Sequence, residues 1–175
     1  MSQLDPLFTA QEINTTVERL AREIREDYKD KNPLLLGILK GCFIFMADLV
    51  RNLDIPVEVE FAALSSYGRD RRQSSGKVNV IRGLRTPVKG RHVLIIEDIV
   101  DTGTTLKFCL DYLKSKNPAS IKICALFDKA SCRQVEVPID YIGLKVPDKF
   151  IVGYGLDCEE KYRHLPGIYC LGDDS

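Results

Sequence analysis

Three short, largely apolar runs constrain the fold more than any other feature of this sequence. They are Leu34–Leu39, His92–Glu97 and Ile121–Phe127. Each is about six residues long, and none alternates polar with apolar. That is the signature of a strand buried on both faces of a parallel sheet. Helical patterns lie between them. Thr9-Ala-Gln-Glu12 is a capping box, and Ile13, Val17, Leu20, Ala21 and Ile24 follow at helical spacing, so a helix is expected over 10–29. Phe43–Asn52 and Thr104–Lys116 read as further helices, the latter with Leu106, Cys109, Leu110 and Leu113 on one face. Val57–Ser65, 78–81, Ile139–Gly143 and Phe150–Tyr154 are additional candidate strands. Strand and helix in alternation imply an α/β fold with a largely parallel central sheet flanked by helices. In such sheets ligands bind beyond the carboxyl ends of the strands.

Composition narrows the class. A chain of 175 residues is expected to form one domain and to bury a core without cross-links. Twenty-five Lys and Arg balance 25 Asp and Glu. The basic excess of a protein that coats nucleic acid is therefore missing. The six cysteines form no CxxC pair, and Cys42, Cys109 and Cys124 lie in apolar runs, so reduced thiols are expected. Residues 1–12 lack the basic and apolar regions of a secretory signal. The most apolar window, Leu34–Val50, is interrupted by Lys40 and Asp48 and is too short for a membrane span. A cytoplasmic protein that binds no membrane is expected.

The most informative segment is Val93-Leu-Ile-Ile-Glu-Asp-Ile-Val-Asp-Thr-Gly-Thr-Thr105. A buried strand ends in Glu97 and Asp98, Asp101 follows, and Thr102-Gly103-Thr104-Thr105 opens a helix. The second half suits a phosphate: Gly103 permits a tight turn, threonines donate hydroxyls, and a helix N-terminus offers free N–H groups. It is neither a P-loop nor the Rossmann fingerprint. Three carboxylates would repel a bare phosphate. They fit a ligand with sugar hydroxyls beside its phosphate and a magnesium ion to offset the charge.

This segment resembles the 5-phosphoribosyl 1-pyrophosphate motif of the type I phosphoribosyltransferases. Leu39-Lys40-Gly41 is similar to the family's pyrophosphate loop, and Ser65-Ser66-Tyr67-Gly68 with the basic stretch after it to its flexible loop. Leu126-Phe-Asp-Lys129, Pro147–Asp157 and Tyr162-Arg163 resemble the purine-binding side of the hypoxanthine-guanine phosphoribosyltransferases. The ordered match spans about residues 34–170, in a chain of the compact bacterial-type length.

The resemblance implies a type I phosphoribosyltransferase fold: a core over about 34–145, a flexible loop over about 65–77, and a small hood built from about 146–175 with the N-terminal residues. It implies purine salvage, in which hypoxanthine or guanine and phosphoribosyl pyrophosphate give a nucleotide and pyrophosphate. Glu97 and Asp98 would bind the ribose, directly or through metal-bound water. Thr102, Gly103, Thr104 and Thr105 would hold the 5′-phosphate. Asp101 would exchange a proton with the purine's imidazole nitrogen, helped by neighbouring carboxylates that raise its pKa. Lys40, Gly41 and Arg163 would hold pyrophosphate, with a cis peptide between Leu39 and Lys40. Lys129 would donate to the 6-oxo group, Phe150 would stack on the ring, and the Ile151 main chain would read the purine edge. Asp157 is assigned to the purine side and, with Glu97 and Asp98, to Mg²⁺. The loop carries Ser66 and Tyr67, then Arg69, Arg71, Arg72 and Lys77 against one acid, Asp70; it would close as a lid that excludes water. His92 and His164 match no catalytic position. Small-molecule substrates and a homodimer or homotetramer are expected. A catalytically silent regulator of the same fold and a xanthine-preferring enzyme are the alternatives.

Overall fold

The computed structural model describes residues 4–66, 78–82 and 84–172. Tyr67 and the basic stretch through Lys77 lie outside the described residues, so of the loop expected over 65–77 only positions 65 and 66 are described, as the end of a strand.

The chain opens with β1 (Leu4–Phe8) and enters α1 (Ala10–Tyr28) through the capping box. Thr9 Oγ1 accepts from Glu12 N at 3.2 Å, and Glu12 Oε2 accepts from Thr9 N at 2.8 Å. There follow β2 (Leu34–Leu39), α2 (Phe43–Leu53), β3 (Glu58–Ser66), β4 (Val78–Arg82), β5 (His92–Val100), α3 (Thr104–Lys114), β6 (Ser120–Asp128), β7 (Tyr141–Lys145), β8 (Ile151–Val152) and β9 (Ile168–Leu171).

Six strands form one sheet in the order β4-β3-β2-β5-β6-β7. Only β4, at the edge, is antiparallel to its neighbour. Both faces are buried, as the largely apolar runs require. Leu35, Leu94 and Ile96 point into a core shared with α1 and α2; Leu34, Leu36, Val93 and Ile95 point into a second core shared with Leu106, Leu110 and Leu113 of α3. After β2 the chain turns to one side to add β3, and later returns to the other side of β2 to add β5. The adjacent carboxyl ends of β2 and β5 therefore diverge into a crevice, the place where such sheets bind ligands.

A separate three-stranded antiparallel sheet, β1-β9-β8, joins residues near both ends of the described chain. The stacked rings of Phe8 and Phe127, with centroids 6.3 Å apart, tie it to the main sheet. Sequence reading missed β1 and β9, and it counted Phe150–Tyr154 among the main strands. The observed β8 is only Ile151–Val152 and belongs to the small sheet. The Ile139–Gly143 strand is displaced to Tyr141–Lys145 because Asp140 turns back to accept from Ile123 N at 2.8 Å. β5 also runs past its expected end at Glu97, because the ladder with β6 continues through Ile99–Phe127 and Val100–Asp128. All six cysteines are unpaired. Among the described residues, no helix is long and apolar enough to cross a membrane.

Candidate active site

The end of β2 delivers Lys40 and Gly41 into the crevice, with a cis peptide bond between Leu39 and Lys40. Next to it, β5 carries Glu97 and Asp98 within its ladder. The two strands are locked together there: a Cβ placed on Gly41 would land 1.6 Å from Asp98 Oδ2. Position 41 therefore excludes any side chain, and the backbone of the Lys40-Gly41 turn stays open beside the carboxylate.

Glu97 is buried, and its Oε2 has no hydrogen-bond partner among the described residues. Burial, with the charge of Asp98 second, drives its pKa well up. The Asp98 carboxyl is pushed up to about 6, again chiefly by burial; backbone hydrogen bonds and Arg163 oppose the shift and Asp157 adds to it. Two carboxyls held reluctantly in one crevice store an unmet demand for donors or a cation.

Beyond Val100 the chain turns through Asp101 and Thr102 into α3. Gly103 caps the helix at φ +84°, and a Cβ there would meet Val135 O at 2.3 Å. Thr102 Oγ1 lies 3.4 Å from Thr104 N, and Thr102 O accepts from Gln134 N and Val135 N, both at 3.0 Å. The turn encloses a small cavity of about 90 Å³ bordered by Glu97, Asp101, Thr102, Gly103 and Thr105. With hydroxyls and a helix N-terminus at its wall beside the two carboxylates, it offers the donors an anion needs. Asp101 is exposed at its rim. Nearby, Cys132 Sγ donates to Asp148 Oδ1 at 3.0 Å, a bond that pushes the thiol pKa up to about 11 and keeps it protonated.

β6 ends at Asp128, and Lys129 follows, only 8% exposed, its N–H bonded to Val100 O at 3.0 Å. Phe150, by contrast, is 47% exposed. A strand-like phenylalanine usually packs into a core; this one presents its ring outward, as a stacking platform would. Ile151 is buried behind it in β8.

The segment after β8 brings in the remaining charges. Gly155, at φ +99°, packs against the turn after β2: its Cβ would meet Gly41 O at 2.2 Å. Arg163 Nη1 donates to Gly155 O at 2.7 Å, and Nη2 sits 3.1 Å from both Asp157 Oδ1 and Glu160 Oε2. Lys40 Nζ reaches Glu160 Oε1 at 2.9 Å. Lys40, Asp157 and Arg163, far apart in sequence, thus share one cluster. Its fourth member, Glu160, escaped sequence reading because nothing distinguishes it from Glu159 beside it. His92 lies at the opposite end of β5, 2.8 Å from Ser120 Oγ, and takes no part.

A family model for the phosphoribosyl transferase domain matches residues 3–159. The chain belongs to the phosphoribosyltransferase family. It is 49% identical over 164 residues to the hypoxanthine-guanine phosphoribosyltransferase of Dictyostelium discoideum, covering 91% of both chains. It is 45% identical over 165 residues to that of Bacillus subtilis, covering 94% of this chain and 91% of the relative. A crystal structure of a hypoxanthine phosphoribosyltransferase from Staphylococcus aureus superposes with a TM-score of 0.92 at 39% identity, over 96% of this chain and 91% of that one. The fold is the type I phosphoribosyltransferase fold, and the chain is a transferase.

The donor set of this phosphoribosyltransferase suits a hard cation in type: Glu97, Asp98 and Asp157 offer only carboxylate oxygens, and Glu97 Oε2 is unclaimed. Among the described residues no three His, Cys, Asp or Glu side chains converge on one point. That arrangement fits an ion completed by substrate oxygens and water, the usual habit of Mg²⁺.

Proposed function

We propose that this chain transfers the 5-phosphoribosyl group of phosphoribosyl pyrophosphate to hypoxanthine or guanine, as a single-domain purine salvage enzyme. The observation that carries the reading is convergence at the carboxyl ends of adjacent strands. An open turn with Lys40 follows β2, a carboxyl pair lies within the last residues of β5 with the threonine turn after it, and a buried lysine follows β6. The ligand this order fits is a pyrophosphate, a phosphorylated ribose and an oxo-bearing base, in that sequence across the crevice. The names of the relatives support the same substrates.

In this reading the cradle of Thr102, Gly103, Thr104 and Thr105 holds the 5′-phosphate, and Glu97 and Asp98 hold the ribose hydroxyls. Lys40, Gly41 and Arg163 hold pyrophosphate. Lys129 donates to the 6-oxo group, which adenine's amino group cannot replace as an acceptor. Phe150 stacks on the ring, and the Ile151 main chain and Asp157 face the purine edge. The C–O bond to pyrophosphate breaks with its electron pair leaving on oxygen. The purine's imidazole nitrogen bonds to the anomeric carbon, and Asp101 takes the nitrogen's proton. Bound Mg²⁺, near Glu97, Asp98 and Asp157, would neutralise charge on the departing pyrophosphate. Ser66 and Tyr67 belong to the expected lid. The β1-β9-β8 sheet serves as the hood, and the protein works in the cytoplasm as a homodimer or homotetramer.

Steady-state assays with hypoxanthine, guanine, xanthine and adenine test the reading. Transfer to the first two and none to adenine is expected. Transfer to xanthine alone would overturn the base assignment, and phosphoribosyl pyrophosphate binding without any transfer would make the protein a ligand-binding regulator. Light scattering during size-exclusion chromatography gives the assembly.

A further inference from the structure

One buried charge pair stands between the two halves of the crevice. Asp128 is the last residue of β6, and Arg133 follows a short 3-10 turn over Ala130–Cys132. Arg133 Nη2 donates to Asp128 Oδ1, with the side chains only 11% and 8% exposed. The pair joining Lys40 to Glu160 is by contrast 67% and 61% exposed. Arg133 Nη1 is buried and has no acceptor among the described residues. The stem of the same side chain lies under the phosphate turn: its Cδ is 3.2 Å from where a Cβ on Gly103 would stand. The residues that follow it, Gln134 and Val135, donate both their N–H groups to Thr102 O.

A desolvated ion pair is a poor source of stability, because apolar side chains of the same volume commonly do as well. Its geometry has another consequence. At one end Arg133 grips Asp128, whose neighbour Lys129 is fixed to Val100 O at 3.0 Å; at the other it packs against the turn that cradles phosphate. A planar guanidinium can grip with one arm and fill space with its stem; an ammonium on a flexible chain cannot hold the same shape.

We infer that Arg133 is a positioning residue, a strut that sets the distance between the base-holding Lys129 and the phosphate turn at Thr102-Gly103. This rests on the functional reading above. The contacts to the base and to the 5′-phosphate are then held in advance at the separation one ligand pair requires, so loosening the strut weakens the hold on both.

The test uses two variants. Arg133→Gln combined with Asp128→Asn removes both charges together, so no uncompensated charge is left buried. Arg133→Lys keeps the charge and loses the fork. The double variant is expected to melt close to the unmodified protein, with KM for hypoxanthine and for phosphoribosyl pyrophosphate each raised about tenfold or more. Arg133→Lys should fall between. A merely structural role would reduce the folded fraction, lowering apparent kcat while leaving both KM values in place; that result overturns the strut. If the double variant does not fold, Arg133→Lys decides by the same criterion. Calorimetric dissociation constants for phosphoribosyl pyrophosphate in these variants read the strut without turnover: a weakening supports it and an unchanged constant overturns it. Failure of the functional reading shows elsewhere, in unmodified protein that transfers nothing to either purine.

Discussion

Glu97 and Asp98 are placed where their charge is least welcome, and that sets the pH behaviour of the ligand-free protein. Asp98 has a pKa of about 6 in the folded chain against an ordinary value of 3.8. Below 3.8 both folded and unfolded states hold the proton. Between 3.8 and about 6 the folded state holds more, so stability falls as pH rises, and above about 6 the cost is complete. Asp98→Asn should therefore raise the melting temperature of ligand-free protein at pH 8, and raise it much less at pH 4. Equal gains at both values would remove burial of the charge as the cause. Asp101 calls for a different variant. If it takes the purine's proton, Asp101→Asn should lower kcat by roughly 10²–10⁴-fold. Binding of phosphoribosyl pyrophosphate should change little, since in the proposed reading Glu97, Asp98 and the threonine turn hold that ligand. Wild-type kcat in this variant would take Asp101 out of the mechanism. Glu160 occupies both Lys40 and Arg163. In the proposed reading an incoming pyrophosphate displaces it, and exposed ion pairs are weak, so Glu160→Gln should tighten pyrophosphate binding by about two- to fivefold. Competition by pyrophosphate in the forward assay measures this.

At the level of elements, the turn into α3 depends on one residue having no side chain. Gly103 combines φ +84° with a backbone oxygen 2.3 Å from any Cβ. Gly103→Ala should destabilise the fold by at least ~1 kcal/mol for the left-handed conformation alone, and it should raise KM for phosphoribosyl pyrophosphate as the cradle opens. Denaturant titration and kinetics on one preparation check both effects. This turn was legible in the sequence because its chemistry is local: Thr-Gly-Thr-Thr after an apolar strand has few other uses. The three central strands were legible for the same reason, each being apolar on both faces. β1 and β9 were not. Leu4-Asp-Pro-Leu-Phe8 contains a proline that cannot donate to a ladder, and Ile168–Leu171 is only four residues long. They are strands because they pair with each other across the whole chain, with Leu4 opposite Leu171. The exposed ring of Phe150 and the role of Glu160 were hidden likewise, since both depend on what the segment after β8 folds against. Arg133 gave no local signal either: it stands in a polar turn, and only the return of that turn onto Thr102 buries it.

The whole molecule divides the work of holding charge between two sheets. Glu97 and Asp98 belong to the six-stranded sheet, whereas Asp157 comes from the segment between the two strands β8 and β9 of the small one. Asp157 is already engaged with Arg163 at 3.1 Å and with Glu160 N at 2.8 Å. Neither sheet alone offers a divalent ion more than a pair of carboxylates, and among the described residues no third ligand completes a cage. In the proposed reading the substrate supplies the missing oxygens. Turnover should therefore vanish on chelation and return with added Mg²⁺, while Mg²⁺ alone should bind the ligand-free protein weakly. Phosphoribosyl pyrophosphate should create the tight site. Titration calorimetry with Mg²⁺, with and without that ligand, separates this arrangement from a resident metal: tight binding to the ligand-free protein would show that the protein builds its own cage, and undiminished turnover after chelation would show that the carboxylates serve the ribose alone.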